Sequence, residues 1–558
     1  MPFFQTAPEL PHPFHADRVL KGYLARVLPP DVHRAIVPEI EAMGDLTGGE
    51  LYALQQEDRE NLPRLVQWDA WGNRVDRVEL TPLWKRAQRI AAERGLVATA
   101  YERKHGALSR VHQFALVYLF HPSSDIYTCP LAMTDGAAKT LITHQAHALV
   151  ERALPRLTSR DPARAWTSGQ WMTERTGGSD VGTSEAIARQ VNGQWRLDGT
   201  KWFTSAVTAE MALTLGRPEG SRPGGKGLAL FYVETHDAAG RSLIQVNRLK
   251  DKLGTRKLPT AELTLDGTPA IPVIGLENGV KAITPMLTIT RTWNGICAAG
   301  EIARAIALAR DYARRRQAFG AALSDKPLHV ETFADQVAEA EAAFHLAFRA
   351  AELLGREEAR EASAAELALL RLVTPLSKLG TARQAMSIVP EVVEVFAGAG
   401  YVEDTGIPRL LRDAQVLPIW EGTTNVLSLD ALRAIAHGGA LEALSAEVKA
   451  TAQELRSAPL QRVGREAASA VDHAAGWLQE RLAKGPAALE AGARGVALTL
   501  ARAYSASLLC RQAQWSIDRE RDGRSQAAAV RFASHGLDRL VDGDPAAAAL
   551  ADDRPMPL

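Results

Sequence analysis

The spacing of hydrophobic residues changes twice along the chain, and this order constrains the fold more than any single motif. The stretch LTPLWKRAQRIAAERGL, which ends at Leu96, places apolar residues at helical spacing. From Ala165 apolar and polar residues alternate instead, and Asn192-Gly193 and Asp198-Gly199 are typical of hairpin turns. After Gly279 long Ala- and Leu-rich stretches return. Helices are therefore expected on both sides of a β region.

This order predicts an α+β fold of several domains. A chain of 558 residues with 46% hydrophobic residues is long enough for two to four domains with substantial cores. The last block is Ala-rich and interrupted at Gly485-Pro486. The predicted domains are an N-terminal extension and helical domain (1–164), a middle β domain (165–278), a helical bundle domain (279–437) and an additional C-terminal helical domain (438–558).

Charge and cysteine content exclude several classes of protein. Lys plus Arg and Asp plus Glu both number 65, so the whole chain gives no reason to expect a polyanion partner. The three cysteines lie far apart, which argues against a disulfide framework or a zinc knuckle. His144 and His147 have no third ligand at a matching spacing, so no metal is expected. Without a signal peptide or an apolar run of membrane length, a cytoplasmic protein with no membrane partner is expected.

Two motifs in the β region suit the binding of a polar cofactor. In MTERTGGSD, Gly177 and Gly178 let backbone amides approach a ligand, and Thr173 and Ser179 add hydroxyl donors. The later stretch GTKWFTSA combines two aromatics with hydroxyls, which suits packing on a flat ring and donation to its edge. An ordinary loop and a core strand remain open as alternatives for the two motifs.

Two further motifs carry charge at distinctive places. RRRQAFG ends a long helix with three cations, which suit either the helix dipole or a diphosphate. In PIWEGTTN, Glu421 stands between Trp420 and Gly422. A solvated loop carboxylate and a positioned base are both open for this residue.

The order of the motifs resembles that of the acyl-CoA dehydrogenase superfamily. MTERTGGSD, KWFTS, KLGTR, RRRQAFG, FAGAGY and WEGTTN follow one another over about residues 80 to 437. The chain is similar to the AidB-like branch, because it has TERTGGSD, WEG, the N-terminal stretch LVQWDAWGNRVDRVELTPLW and about 120 residues after the core. The resemblance implies an N-terminal helical domain, a middle β-barrel-like domain, a C-terminal four-helix bundle and an extra C-terminal helical domain.

The resemblance also implies α,β-dehydrogenation of an acyl-CoA thioester with non-covalently bound FAD. Glu421 matches the family's base, and in this family the flavin is the hydride acceptor. Thr290 stands where some relatives carry an alternative base. Glu394, before FAGAG, departs from the family's common Gln. The matching substrate residues are Arg291, Trp420, Gly422 and Arg433. The matching FAD residues are Met172, Thr173, Gly178, Ser179, Phe203, Ser205, Arg316, Gln317, Phe319, Gly398, Gly400, Thr423 and Asn425.

Partners and rival functions follow from the same resemblance. Arg316, Gln317 and Phe319 match residues that reach the FAD of a neighbouring subunit, which implies a homo-oligomer, expected to be a tetramer. Electron-transfer flavoprotein is the expected electron acceptor.

An oxidase resembling nitroalkane oxidase is one alternative function. The other is a DNA-binding AidB-like flavoprotein of the alkylation-damage response with little dehydrogenase activity. Residues 441–558 carry fifteen Lys plus Arg against fifteen Asp plus Glu, which favours an oligomer-forming or lid-like domain, although a local basic face remains open. Its arginines are Arg511, Arg519, Arg521 and Arg524.

Overall fold

The N-terminal part is a layer of helices interrupted by one hairpin. The computed structural model describes residues 6–541, 543–544 and 546–556. Thr81 caps one of the helices by accepting from Trp84 N, and Pro82 occupies its first turn. The elements are α1 (Arg18–Val27), α2 (Pro30–Gly48), α3 (Glu50–Glu57), β1 (Arg64–Trp68), β2 (Arg74–Glu79), α4 (Pro82–Glu93), α5 (Ala98–Glu102), α6 (Ser109–Phe120), α7 (Thr128–Thr143) and α8 (His147–Leu157).

The β region closes on itself. Its strands are β3 (Ser168–Trp171), β4 (Ile187–Val191), β5 (Gln194–Thr204), β6 (Met211–Pro218), β7 (Ala229–Glu234), β8 (Gln245–Leu249) and β9 (Ala261–Pro272). The strand order is β3-β6-β4-β5-β9-β7, with β8 on β9, and β7 also pairs with β6. That last pairing makes a closed, barrel-like ring, whose interior is filled by side chains such as Leu197, Phe231 and Leu263.

One of the two hairpin predictions is confirmed and the other is wrong. Asn192 and Gly193 join β4 to β5 with positive φ at both residues, as an Asn-Gly turn does. Asp198-Gly199 instead lies within β5, where the register with β9 shifts between Leu197 and Gly199. Gly199 has φ +148° there, so this glycine serves a β-bulge rather than a turn.

Long helices follow the β region. They are α9 (Gly279–Ala282), α10 (Thr284–Arg315), α11 (Pro327–Glu358), α12 (Ala364–Val395), α13 (Ile407–Ala414) and α14 (Thr424–Ala436), with a hairpin of β10 (Gln317–Ala318) and β11 (Ala321–Ala322) after α10. A capping box of Ser363 and Glu366 begins α12, which continues through Pro375 and Pro390. The helices α10, α11 and α12 pack on one another, and α14 packs on α12.

The C-terminal block is helical and packs on this bundle. Its helices are α15 (Ala440–Glu454), α16 (Ala458–Lys484), α17 (Pro486–Arg519), α18 (Arg524–Ser534) and α19 (Ala547–Ala551), and the interruption expected at Gly485-Pro486 is confirmed. One hydrophobic core runs from Phe14 to Leu537 and joins this block to the bundle and the N-terminal helices. Of the helices in the described part of the chain, none combines the length and apolar character needed to cross a membrane.

Candidate functional site

Glu421 lies on a strained turn between α13 and α14. Its φ is +55° and that of Gly422 is +102°, so two consecutive residues adopt the left-handed region. A non-glycine residue in this conformation costs of order 1 kcal/mol and persists only where its surroundings hold it. Thr423 ends the turn as the cap of α14, with its hydroxyl accepting from Val426 N at 3.5 Å. The turn therefore fixes where the Glu421 carboxylate lies.

The Glu421 carboxylate is half-buried and held by neutral donors. Thr290 Oγ1 of α10 donates to Glu421 Oε2 at 2.6 Å, and the Gln170 side chain of β3 lies against the same carboxylate. Burial raises the pKa of Glu421, while the Thr290 hydrogen bond and the charges of Arg291 and Lys378 oppose that rise. An ionised carboxylate with a raised pKa in a partly dry site has the properties of a general base.

Two cations hold the backbone of this turn. Arg291 Nε donates to the Glu421 carbonyl at 3.2 Å, and Lys378 Nζ donates to the Gly422 carbonyl at 2.6 Å. Arg291 also donates through Nη1 to Asp430 Oδ2 at 2.6 Å. Arg433, which was expected beside Arg291, lies exposed on α14.

Sequence reasoning missed Lys378 and Asp430. A lysine in a helix is usually solvent-exposed, and an aspartate on α14 has no distinctive motif. The signal for Lys378 was its setting, because TPLSKLGTA places apolar or small residues around it on every side of the helix.

Trp420 closes one side of the turn. It is half-buried against the main core, and its indole Nε1 donates to Asn294 Oδ1 of α10. The preceding Ile419 is 62% exposed. The aromatic side chain is thus anchored at its polar end and exposes part of its ring next to Glu421.

The loop after β3 carries the predicted cofactor residues Met172, Thr173, Gly178 and Ser179. Trp202 N donates to the Thr173 carbonyl at 3.0 Å, which ties this loop to β5. A Cβ on Gly178 would lie 2.4 Å from Thr173 Oγ1, so a larger residue there would require the Thr173 side chain to move. Met172 and Thr173 are half-buried, while Gly178 and Ser179 are exposed.

A buried ion pair supports this loop from beneath. Lys201 Nζ donates to Glu174 Oε1 at 2.6 Å and to the Leu215 carbonyl at 2.7 Å. Glu174 Oε2 accepts from the backbone amides of Glu185 and Ala186 at 2.6 and 3.1 Å. Glu174 lies in MTERTGGSD and Lys201 in GTKWFTSA, and nothing in either motif indicates that these two side chains pair.

Ser205 lies near the end of β5 that approaches the Glu421 turn. Ser205, just after β5, has its hydroxyl 3.3 Å from Thr260 Oγ1, and the neighbouring Phe203 is 55% exposed. The Cys129 thiol of α7 lies near both Ser205 and Glu421. Burial raises the pKa of this thiol to about 12, a hydrogen bond with Ser205 opposes the rise, and the Glu421 charge adds to it. The structure therefore brings the end of β5 and the Glu421 turn together around Cys129.

Other predicted residues lie on separate parts of the chain. Arg316, Gln317 and Phe319 lie at the β10–β11 hairpin, where Phe319 at the tip is 98% exposed. Gly398 and Gly400 lie in a 3-10 turn after α12, near the exposed Glu394. Thr423 and Asn425 flank the start of α14 and are exposed.

The four C-terminal arginines do not form one free basic face. Arg511 Nη1 lies 3.3 Å from Glu447 Oε1, and Arg524 pairs with the buried Glu341. Arg519 and Arg521 are exposed. Two of the four charges are thus neutralised within the chain, which weakens the basis of a DNA platform.

The side chains present around Glu421 fit FAD better than a metal. In the residues that the structure describes, no group of three or more His, Cys, Asp or Glu could hold a metal ion. The loop after β3 and the end of β5 instead offer backbone amides, hydroxyls and the exposed ring of Phe203. The Oε1 atom of Gln170 is buried and has no hydrogen-bond partner among the described residues. This donor set and exposed aromatic surface are what a flavin and its polar edge require.

Family models cover the described chain in four segments. Residues 8–162 match "Adaptive response protein AidB N-terminal domain", and residues 169–268 match "Acyl-CoA dehydrogenase, middle domain". Residues 277–436 match "Acyl-CoA dehydrogenase, C-terminal domain", and residues 439–551 match "Acyl-CoA dehydrogenase 11 C-terminal domain-like".

Individual relatives match over most of their length. Acyl-CoA dehydrogenase family member 11 of Caenorhabditis elegans is 42% identical over 533 residues, which cover 91% of this chain and 85% of that protein. Putative acyl-CoA dehydrogenase AidB of Escherichia coli (strain K12) is 31% identical over 389 residues, or 67% of this chain and 69% of that protein. The crystal structure of C. elegans ACDH-11 in complex with C11-CoA superimposes with a TM-score of 0.93 at 40% identity, covering 97% of this chain and 94% of that chain.

Proposed function

The chain belongs to the acyl-CoA dehydrogenase family, as the resemblance to its AidB-like branch predicted, and from this premise we propose that it is an FAD-dependent acyl-CoA dehydrogenase. The expected fold of helical, β and helical domains with an extra C-terminal domain agrees with the same comparison. The observation that carries the proposal is the Glu421 carboxylate, held at 2.6 Å by Thr290 on a strained turn, with its pKa raised by burial. The C11-CoA bound to the C. elegans relative supports an acyl-CoA as the substrate class.

In the proposed reaction, Glu421 removes the α-proton of the acyl thioester. FAD, when bound, supplies the acceptor for the β-hydride. Met172, Thr173, Gly178 and Ser179 would hold this cofactor at one side, with Ser205 as a donor to its polar edge. Thr290 and Gln170 would keep the Glu421 carboxylate oriented towards the substrate, and Trp420, anchored by Asn294, would limit the access of water to it. A base whose pKa is raised by this environment is a stronger proton acceptor once it is ionised.

The test is an anaerobic titration of the purified holoenzyme with short, branched and long acyl-CoAs. We expect one class to bleach the flavin absorption band, which would establish both the chemistry and the chain preference. A bound flavin that no acyl-CoA reduces under anaerobic conditions would contradict the proposal. Reduction followed by rapid reoxidation in air, faster than with electron-transfer flavoprotein, would instead identify an oxidase.

The Glu421→Gln variant tests the base itself. We expect FAD to remain bound while the rate of flavin reduction falls by about two orders of magnitude or more, as removal of a general base implies. Glu403→Gln, at a 60% exposed side chain before α13, is the matched control, and its flavin should be reduced at the wild-type rate. Wild-type reduction by Glu421→Gln would exclude Glu421 as the base.

We further propose that the exposed β10–β11 hairpin meets a neighbouring subunit in a homo-oligomer of the tetrameric type. A phenylalanine that is 98% exposed at a hairpin tip is unfavourable in water unless a partner covers it. Light scattering after size-exclusion chromatography measures the assembly, and Phe319→Asp should shift it towards smaller species. A wild-type monomer that binds FAD fully would contradict this arrangement.

A further inference from the structure

Lys378 is a lysine with no access to solvent beside the proposed base. It lies midway along α12, its exposed fraction is 0%, and Nζ donates to the Gly422 carbonyl at 2.6 Å. Burying an ammonium is unfavourable unless nearby charges and hydrogen bonds compensate. The cost is visible here, since burial and the nearby Arg291 charge lower the pKa of Lys378 to about 7 against an opposing contribution from the Glu421 charge. A neutral side chain of similar length would avoid that cost.

The lysine holds one of two consecutive carbonyls on the strained turn. Arg291 from α10 donates to the carbonyl of Glu421, and Lys378 from α12 donates to the carbonyl of Gly422. These are the residues with φ of +55° and +102°. The turn is thus held by a cation from each of two helices, which gives the strained backbone the external support that it requires.

The charged groups around Glu421 differ in their other contacts. The groups that face its carboxylate are Thr290 and Arg291 of α10, Gln170 of β3, Lys378 of α12 and Cys129 of α7. Of the two cations, Arg291 is engaged by Asp430, which also accepts from Arg371 Nη2 at 2.7 Å. Glu421 is the only carboxylate among the described residues whose charge is found to favour the protonated form of Lys378.

Resting on the proposed function, we propose that Lys378 is the positioning residue of the base: it fixes the Glu421–Gly422 turn and keeps the Glu421 carboxylate ionised until the α-proton is transferred. The ammonium acts through the Gly422 carbonyl and through space, and it does not touch the substrate. Because the pKa of Lys378 is about 7, this electrostatic support is present below pH 7 and fades above it. Loss of the lysine should therefore change the acidic limb of the pH profile.

The experiment compares Lys378→Met with the wild-type holoenzyme in the pH dependence of anaerobic flavin reduction. Removing a nearby positive charge raises the pKa of a carboxyl group. We expect the acidic limb of Lys378→Met to move to higher pH by about one unit, and the plateau above pH 7 to fall because the hydrogen bond to the Gly422 carbonyl is lost at every pH. Arg383→Met, an exposed cation on the same helix, is the control and should leave the limb in place. Superimposable wild-type and Lys378→Met limbs would overturn the proposal.

A second readout needs no acyl-CoA. The Glu421 carboxyl can be titrated by infrared difference spectroscopy, with its band assigned from its absence in Glu421→Gln. A band that titrates at higher pH in Lys378→Met supports the positioning role even if no acyl-CoA reduces the flavin, and an unmoved band contradicts it even if turnover is normal. Lys378→Gln, which retains a hydrogen-bond donor without the charge, provides the same comparison if Lys378→Met does not fold.

Discussion

Thr290 couples α10 to the proposed base through a single hydroxyl. It donates to Glu421 Oε2 at 2.6 Å and stabilises the ionised form, so its hydrogen bond opposes the rise in pKa that burial causes. Hydrogen bonds to charged groups contribute about 1.5–3 kcal/mol, which corresponds to roughly one to two pKa units. The hydroxyl thus lowers the pH above which Glu421 is ionised.

Thr290→Val removes that hydroxyl at nearly constant volume. In the pH profile of the flavin reduction rate, we expect the acidic limb to move to higher pH by roughly one to two units. The plateau of this profile at high pH should be retained. Stopped-flow reduction across pH measures this limb. Thr292→Val is the matched control, because Thr292 Oγ1 bonds within its own helix to the Thr288 carbonyl at 2.8 Å. A shift of equal size in both variants would mean that α10 moves as a whole.

At the scale of residues, sequence predicted Glu421 as a candidate base but not the residues that contact it. Glu421 lies in a recognisable motif, WEGTTN. Thr290 is marked by the resemblance only as the place of an absent alternative base, and no motif marks Lys378. The hydrogen bonds from Thr290 to Glu421 and from Lys378 to Gly422 connect α10 and α12 to a turn that is distant in the sequence, so local patterns cannot reveal them.

At the scale of elements, the loop after β3 depends on one buried ion pair. Lys201 on β5 is 0% exposed and pairs with Glu174 at 2.6 Å, while Glu174 holds two backbone amides of the segment before β4. Removal of one partner leaves the other charge buried and uncompensated. The pair therefore joins the proposed cofactor loop to the barrel.

Lys201→Met should lower the free energy of unfolding by about 3–5 kcal/mol, and FAD should bind more weakly because the loop loses its anchor. Urea unfolding followed by circular dichroism measures the first effect, and fluorescence titration of the apoprotein measures the second. Arg189→Met breaks the exposed pairs with Asp198 and Glu219 on the same barrel and should lower the free energy of unfolding far less than Lys201→Met does. Similar losses in both variants would argue against a special role for Lys201.

Element prediction succeeded where backbone requirements are local. Asn192-Gly193 specifies its hairpin, because both residues tolerate positive φ. Asp198-Gly199 has a similar composition, yet pairing with β9 incorporates it into β5 as a bulge. The same long-range pairing closes the barrel through β6 and β7, an arrangement that alternation in one strand cannot specify.

At the scale of the whole molecule, the C-terminal block is part of the core rather than an appendage. The main hydrophobic cluster includes Tyr23, Phe348 and Tyr504 from the N-terminal, bundle and C-terminal parts. Sequence reasoning marked out this block by its composition but could not show how it packs. Cooperative unfolding of these parts is expected, because each buries apolar surface on the others.

Arg349 connects the bundle to this block. From α11 it donates to Glu447 Oε2 of α15 at 2.8 Å, to Tyr504 OH of α17 at 3.1 Å and to Glu352 Oε2 at 2.8 Å. Burial alone would raise the pKa of Glu352, but the charges of Arg349, Arg511 and Arg26 lower it to about 2. Because the pKa is lowered on folding, the stability that this carboxylate contributes is present above its ordinary pKa of 4.5 and is lost as pH falls towards 2.

Arg349→Met should therefore lower the free energy of unfolding by about 3–5 kcal/mol at neutral pH and by less at low pH, where Glu352 is protonated. Arg356→Met is the control, because Arg356 lies on α11 like Arg349 and forms a more exposed pair with Glu366 of α12. It should lower the free energy of unfolding by less than about 1 kcal/mol. Calorimetry across pH measures both. If the wild type melts in a single transition and Arg349→Met in two, this arginine maintains the cooperativity between bundle and C-terminal block. A wild type that already melts in two well-separated transitions would show that the continuous core does not couple them.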